Sequence, residues 1–286
     1  MQHNIKSCFV PVLSSHAGLC LTGENWEELK ITTAAYHLSE LLMKPGFSVL
    51  KGISDIASYV GWHRSLVLNA SMLIMNKEGD FTLRSKYDGS RLCYSLQDII
   101  ELIVHLNPTM VLLPQGIHQH NRMVAESLPA SIMPSFMPSD LPADSGNRRS
   151  GVYFLHDKSV LLNDFMARVT YYTDRIRYVV GDFDLASIER LVETGIDYIE
   201  SDRLAADALD GFVYRQTQVL SITDLDKASV FDVIDPDCKC PTCTQGFTQA
   251  YLHHLLGHTP LLCQRFLIQH NIQLVFREDH STCTQI

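Results

Sequence analysis

Cys238-Lys-Cys240-Pro-Thr-Cys243, followed after 26 residues by His270, is the arrangement in this sequence best suited to chemistry. Thiolate sulfur and imidazole nitrogen are preferred ligands of Zn2+, and a closed set of four such ligands is a structural rather than a catalytic site. The stretch Thr244–Gln269 reads as two helices broken near Gly257 and Pro260. Such a helical hairpin returns His270 to the three thiols. The plain alternative is three cysteines that are simply buried or free.

The composition around this cluster is that of a folded globular chain. At 286 residues, with 46% hydrophobic and 19% charged residues, the chain buries a substantial core, which excludes a disordered protein. Met1–Pro11 carries no apolar run behind a basic cap, and the apolar stretches near Ser65–Met75 and Asp98–Leu113 are too interrupted to span a bilayer. These features set the expectation of a cytoplasmic protein with no membrane partner. Outside the cluster, Cys8, Cys20, Cys93, Cys263 and Cys283 are scattered singly, the pattern of reduced thiols. A formal charge of −9 argues against capture of nucleic acid by the surface as a whole. Arg148-Arg149, Arg175 and Arg177 read as solvated loop charges, and the thirteen histidines are dispersed.

The middle of the chain alternates strand and helix signals. Leu96–Leu106 has helical apolar spacing, and Met110–Leu113 follows as a buried strand. Gly151–Leu155 leads into Val160–Tyr172, Tyr178–Val180 into Leu185–Thr194, and Asp197–Ile199 into Arg203–Leu209. Such units predict an α/β fold with a parallel sheet, either a barrel or a doubly wound layer. Leu128–Ser150, with Pro129, Pro134, Pro138 and Pro142, reads as a long loop. The expected division is a barrel over 1–234, with 128–150 as its Pro/Ser-rich loop, and a zinc-binding subdomain over 235–286.

Asp235-Pro-Asp-Cys-Lys-Cys-Pro-Thr-Cys243, then Ala250-Tyr-Leu-His-His-Leu255, then His270-Asn271, resembles the zinc subdomain of tRNA-guanine transglycosylases, the queuine tRNA-ribosyltransferases. Upstream, Tyr36-His37-Leu38, Lys44-Pro45-Gly46, Ser85-Lys-Tyr-Asp-Gly-Ser90, Tyr94–Gln97, Arg177–Gly181 and Gly195-Ile-Asp197 resemble segments of that family in the same order. The resemblance implies a TIM-type (β/α) barrel, here in shortened or irregular form, with a C-terminal subdomain holding one structural Zn2+. It also implies the family's reaction, exchange of a tRNA guanine for a 7-deazaguanine. A carboxylate attacks the ribose anomeric carbon as in a retaining glycosidase.

Three aspartates that this reaction implies are replaced. At the nucleophile position stands Glu200, whose extra methylene shifts the attacking oxygen by about 1 Å, enough to cost roughly 100-fold in rate. At the acid/base position stands Asn69, an amide that does not titrate. At the base-reading position stands Gln115, whose mixed donor and acceptor mismatch the two-donor edge of guanine. Gly181, closing the strand near the nucleophile, is carried over with Gln115 as a substrate-binding position. The family's Val-Gln-Gly strand and Gly-Gly-Leu loop have no visible counterpart, and the shortage falls around Leu128–Asp174.

The resulting expectation is a catalytically impaired homologue resembling the accessory subunit of the eukaryotic enzymes, where Glu also stands at the nucleophile position. It would act in a homodimer or heterodimer with a transglycosylase subunit, in queuosine-type tRNA modification; direct tRNA contact is not supported by charge. The alternatives are an active transglycosylase or deazapurine glycosidase using Glu200, and a deazaguanine- or protein-binding module without tRNA. His253, His254 and His258 share one helix and read as packing or surface residues. His118 and His120, just past Gln115, read as solvated loop residues beside a barrel's substrate end.

Overall fold

The computed structural model describes residues 7–120, 124–141, 150–216 and 218–276. Its centre is a parallel sheet of eight strands. In chain order these are β1 (Cys8–Val10), β2 (Thr33–His37), β3 (Ser65–Asn69), β6 (Met110–Leu112), β7 (Met133–Phe136), β8 (Gly151–Leu155), β9 (Ile176–Val180) and β10 (Tyr198–Glu200). The hairpin β4 (Asp80–Arg84) and β5 (Arg91–Ser95) lies between β3 and β6, and the hairpin β11 (Phe212–Arg215) and β12 (Gln218–Ser221) follows β10. The spatial order is β1-β10-β9-β8-β7-β6-β3-β2. A parallel bridge between Val12 and Ala35, with Leu13 N donating to Ala35 O at 2.9 Å, brings the first and last strands together into a nearly closed barrel.

The period of two along each strand explains the two cores. One set of residues, including Val10, Ala35, Val67, Met110, Leu112, Met133, Tyr153, Tyr178 and Tyr198, fills the barrel interior as a single buried cluster. The alternate residues, such as Phe9, Tyr36, Leu68, Val111, Phe154, Val179 and Ile199, pack outward against the helices. The interior is thus plugged by three tyrosines and two methionines, with Tyr153 Oη donating to Leu113 O at 2.6 Å.

The expected elements stand close to their sequence positions. Helices cover Leu96–Leu106, Leu162–Val169, Leu185–Glu193 and Arg203–Leu209. The first is started by a capping box in which Ser95 and Asp98 satisfy each other's backbone amides.

Leu128–Ser150 is corrected in part: it is not one loop, because it contains β7 and a 3-10 turn at Pro138–Asp140. Pro134 is tolerated because β8 pairs with β7 only from Ser135 onward, so its missing amide hydrogen falls outside that ladder. The barrel therefore has all eight strands. Residues 142–149, with Arg148-Arg149, lie outside the described residues.

Two further expectations change. Cys8 is disulfide-bonded rather than a reduced thiol, whereas Cys20, Cys93 and Cys263 are free as expected; Cys283 lies outside the described residues. Arg177 is not a solvated loop charge, since its side chain is 12% exposed and pairs with Asp197 at 3.2 Å. Arg177 N also donates to the same carboxylate at 2.8 Å. This contact ties the start of β9 to the turn before β10, which gives the Arg177 and Gly195-Ile-Asp197 motifs a shared structural reason. No helix among the described residues is long and apolar enough to cross a membrane.

Candidate functional site

Glu200 ends β10 and points into the C-terminal mouth of the barrel, the end where barrels of this type carry their sites. It is fully buried, and both carboxylate oxygens are engaged. Oε1 meets His37 Nε2 at 2.8 Å and accepts from Asn69 Nδ2 at 2.8 Å; Oε2 accepts from Tyr178 Oη at 2.6 Å. The three partners come from the ends of β2 and β3 and from the middle of β9, all at inward positions. Register makes this possible: His37 pairs with Asn69, and Glu200 with Val180.

Each partner is itself held. Asn69 Oδ1 accepts from Ser71 N at 3.0 Å and Ser71 Oγ at 2.6 Å, which orients its amide donor toward Glu200. Ser14 Oγ accepts from His37 N at 2.8 Å. The Tyr178 ring stacks on Tyr198 with centroids 5.7 Å apart. Beyond Glu200, Ser201 Oγ donates to Phe183 O and accepts from Phe183 N and Arg203 N, joining the loops after β9 and β10.

The charges around this cluster oppose one another. Burial lowers the pKa of His37, but the hydrogen bond and charge of Glu200, with Asp202 and Glu40, outweigh it and leave a net rise. The contact with Glu200 thus favours the protonated form of His37. Asp202 is pushed up to about 6, chiefly by burial, against the hydrogen bond from Ser15 Oγ at 2.7 Å and the charge of His37. Tyr178 is raised well above its ordinary value by burial and by the Glu200 charge, so it stays a neutral donor.

Asn69 and Glu200 are thus brought together, while Gln115 is not. Gln115 lies exposed in the turn past β6, and Gly116 beside it (φ +75°) donates its amide to Asp140 at 2.8 Å. Gly181 donates to Glu200 O at 3.1 Å, and a Cβ there would meet the Phe183 ring at 2.5 Å, so the close packing of that ring requires glycine. His118 is half-buried and His120 is exposed on the short helix Ile117–His120, and no hydrogen bond joins either to Glu200 among the described residues. His37, Tyr178 and Asp202 were not assigned roles from sequence. The available signal was their inward register at strand ends, legible only once strand pairing is known.

The second cluster is the Cys3His set. The four ligand atoms of Cys238, Cys240, Cys243 and His270 lie within 4.8 Å of one another, and all four residues are buried. The predicted helices form at Gln249–His258 and Pro260–Gln273, broken at Thr259, and the second carries His270 back to the thiols. His270 Nδ1 faces Cys240 and Cys243 sulfurs at 3.5 and 3.3 Å, while Nε2 donates to Tyr214 O at 2.7 Å. That second contact fixes the tautomer that leaves Nδ1 free to ligate, the arrangement usual around a metal-bound imidazole. Backbone amides of Cys240 and Cys243 donate to the sulfurs of Cys238 and Cys240. Donor types, burial and outer contacts all fit a metal ion of the zinc class.

Asn271 next to it carries a different task. Its Oδ1 accepts from Tyr214 N at 3.1 Å, and its Nδ2 donates to Leu204 O and Phe212 O at 3.0 Å each. The His270-Asn271 pair therefore clamps β11 and the helix after β10 onto the metal cluster. His253 Nδ1 contacts Ile222 O at 2.7 Å, and His254 and His258 are exposed neighbours on the helix surface.

A parallel eight-stranded α/β barrel with a carboxylate at its C-terminal mouth and a separate Cys3His cluster is a frame that hosts many chemistries, so the fold alone assigns none. The family model described as Queuine tRNA-ribosyltransferase matches residues 150–282. A queuine tRNA-ribosyltransferase of Thermotoga neapolitana is 22% identical over 93% of this chain and 83% of its own length. Those of Protochlamydia amoebophila and Chlamydia muridarum are 35% and 38% identical over 35% and 30% of this chain, stretches spanning about a quarter of each relative. Over these stretches the chain is similar to the tRNA-guanine transglycosylase superfamily.

Proposed function

We propose that this protein is a transglycosylase homologue without base-exchange activity of its own, serving as the partner of a catalytic subunit in 7-deazaguanine modification of tRNA. The observation that carries this is the engagement of Glu200. A nucleophilic carboxylate must present an oxygen to the anomeric carbon, whereas Glu200 is buried with Oε1 twice and Oε2 once hydrogen-bonded. Its nearest neighbour on β3 is Asn69, which holds the carboxylate by donating to it and has no titrating group to assist a leaving base. The pair stabilises the barrel mouth; it does not divide the work between nucleophile and acid.

The Cys3His set holds one Zn2+ in this reading, with Cys238, Cys240, Cys243 and His270 as ligands, and the ion fixes the C-terminal subdomain. A partner surface is supported by the apolar side chains left exposed around that subdomain: Phe212, Val219, Leu225 and Phe231. The partner is a transglycosylase subunit, a second copy or a catalytic relative.

The alternative in which Glu200 attacks ribose is tested by trapping. Purified protein is incubated with tRNA and a base analogue that stalls the covalent intermediate, then resolved by denaturing electrophoresis. No protein–RNA adduct is expected. An adduct lost in Glu200→Gln would make the protein an enzyme.

A further inference from the structure

His254 and His258 stand four residues apart near the C-terminal end of the helix Gln249–His258. With about 3.6 residues per turn, such positions lie one above the other on the helix surface. Leu252 and Leu255 anchor this helix in the core, whereas both imidazoles are exposed. The two rings nonetheless meet, with centroids 4.3 Å apart and planes tilted by 57°.

The rest of the fold gives this contact no support. Neither ring has a hydrogen bond or ion pair among the described residues, and neither is held by burial. Two imidazolium cations so placed would repel, as like charges do at this helical spacing. Yet the last turn of a helix favours positive charge beside its unpaired carbonyls. One divalent ion shared by two ring nitrogens meets both conditions, because each imidazole then gives a lone pair in place of holding a proton.

The surroundings leave room for such an ion. Gly257 lies one position before His258, and a Cβ there would meet nothing within 4 Å, so the flank of the helix is open. Among the described residues no third His, Cys, Asp or Glu joins the pair. Water would therefore complete the coordination, in contrast to the closed four-donor shell of the Cys3His set. Two histidines at this spacing on one helix form a chelate in the His-Glu-x-x-His metal motif. Imidazole nitrogen suits the late first-row transition metals, whereas Mg2+, Ca2+ and Mn2+ prefer oxygen.

We propose that His254 and His258 chelate one exchangeable divalent transition-metal ion, of the class of Ni2+, Cu2+ and Zn2+, in addition to the ion of the Cys3His set. The buried set fixes the subdomain; the surface pair takes up and releases its ion without altering the fold. This site requires neither base exchange nor a partner subunit.

The test titrates Ni2+ into the tag-free, zinc-loaded full chain by calorimetry, with zinc content measured before and after. Ni2+ is chosen over Cu2+ because it does not oxidise the exposed Cys93 thiol. One equivalent of Ni2+ per chain is expected to bind with all zinc retained. His254→Ala and His258→Ala should each weaken it on the order of a hundredfold, since either leaves a single imidazole in place of a chelate. His63→Ala, exposed elsewhere on the chain, should change nothing. Mn2+ should bind far more weakly than Ni2+. A second measurement needs no substitution: paramagnetic Ni2+ should broaden the ring resonances of His254 and His258 before those of any other histidine.

Absence of nickel binding in the wild type would overturn the proposal. So would binding that survives both substitutions, broadening centred on other histidines, or Mn2+ binding as tightly as Ni2+. Nickel uptake matched by zinc release would place the ion in the buried set and overturn it as well. Thermal midpoints and zinc content unchanged in the Ala variants assign the loss to the missing nitrogen. The guanine-exchange assay is read separately, so neither result decides the other.

Discussion

Asn69 Nδ2 donates to Glu200 Oε1 at 2.8 Å across the mouth of the barrel. The two replacements expected from the family pattern are therefore one unit. An aspartate at 69 would set two carboxylates in contact inside a buried cluster, where both cannot ionise without large cost. The amide avoids that conflict and makes the contact a hydrogen bond.

Asn69→Asp tests this coupling. The variant should be less stable than wild type by about 2 kcal/mol at pH 7, because one carboxyl is forced to hold its proton. The folded-state pKa of the pair is raised, so the loss should shrink as the pH falls toward 4. Urea midpoints at pH 4.5 and 7 measure it; equal penalties at both would contradict the contact.

Tyr178→Phe removes the donor to Glu200 Oε2 while keeping the ring stacked on Tyr198. Leaving a buried carboxylate oxygen unsatisfied should cost about 1–3 kcal/mol. A change within about 0.5 kcal/mol would show that the oxygen finds water instead.

The pH dependence of stability has two windows. Asp202, with an ordinary value of 3.8 raised to about 6, binds its proton more tightly when folded; stability is fullest below 3.8 and falls as pH rises through 6. The full shift corresponds to about 3 kcal/mol, and solvent at the barrel mouth should reduce the observed loss to about 2. His37, raised above 6.5, adds stability below that value that disappears as pH rises through its folded-state pKa. Asp202→Asn should flatten the profile between pH 4 and 6 and leave the alkaline fall in place. Thermal midpoints over pH 4–8 read both.

In the C-terminal subdomain, Cys240→Ser should abolish stoichiometric zinc and melt the helices Gln249–His258 and Pro260–Gln273. Asn271→Ala should instead retain close to one equivalent of zinc while losing about 2–4 kcal/mol, since three buried backbone groups lose their partner. Loss of zinc in Asn271→Ala would assign that residue to the metal shell. Metal analysis with circular dichroism separates the two.

Much of this was legible in sequence for physical reasons. Helices such as Leu96–Leu106 announce themselves by a cap and a 3.6-residue apolar period, and the thiol spacing carries its own coordination chemistry. β7 was hidden because Met133-Pro-Ser-Phe136 has loop composition, and only its neighbours make it a strand. The Glu200 shell was half visible. Asn69 and Glu200 could be placed by motif, but His37 and Tyr178 join them through strand register, which local sequence does not encode.

The central claim, that the barrel mouth is closed to base exchange and the protein acts through a partner, is met most directly by a labelled-guanine exchange assay. The protein is tested alone on tRNA, then mixed with a catalytic transglycosylase from the same cell. The account predicts no incorporation alone and higher incorporation in the mixture than the catalytic subunit gives by itself. Incorporation by the protein alone, abolished by Glu200→Gln, would contradict it.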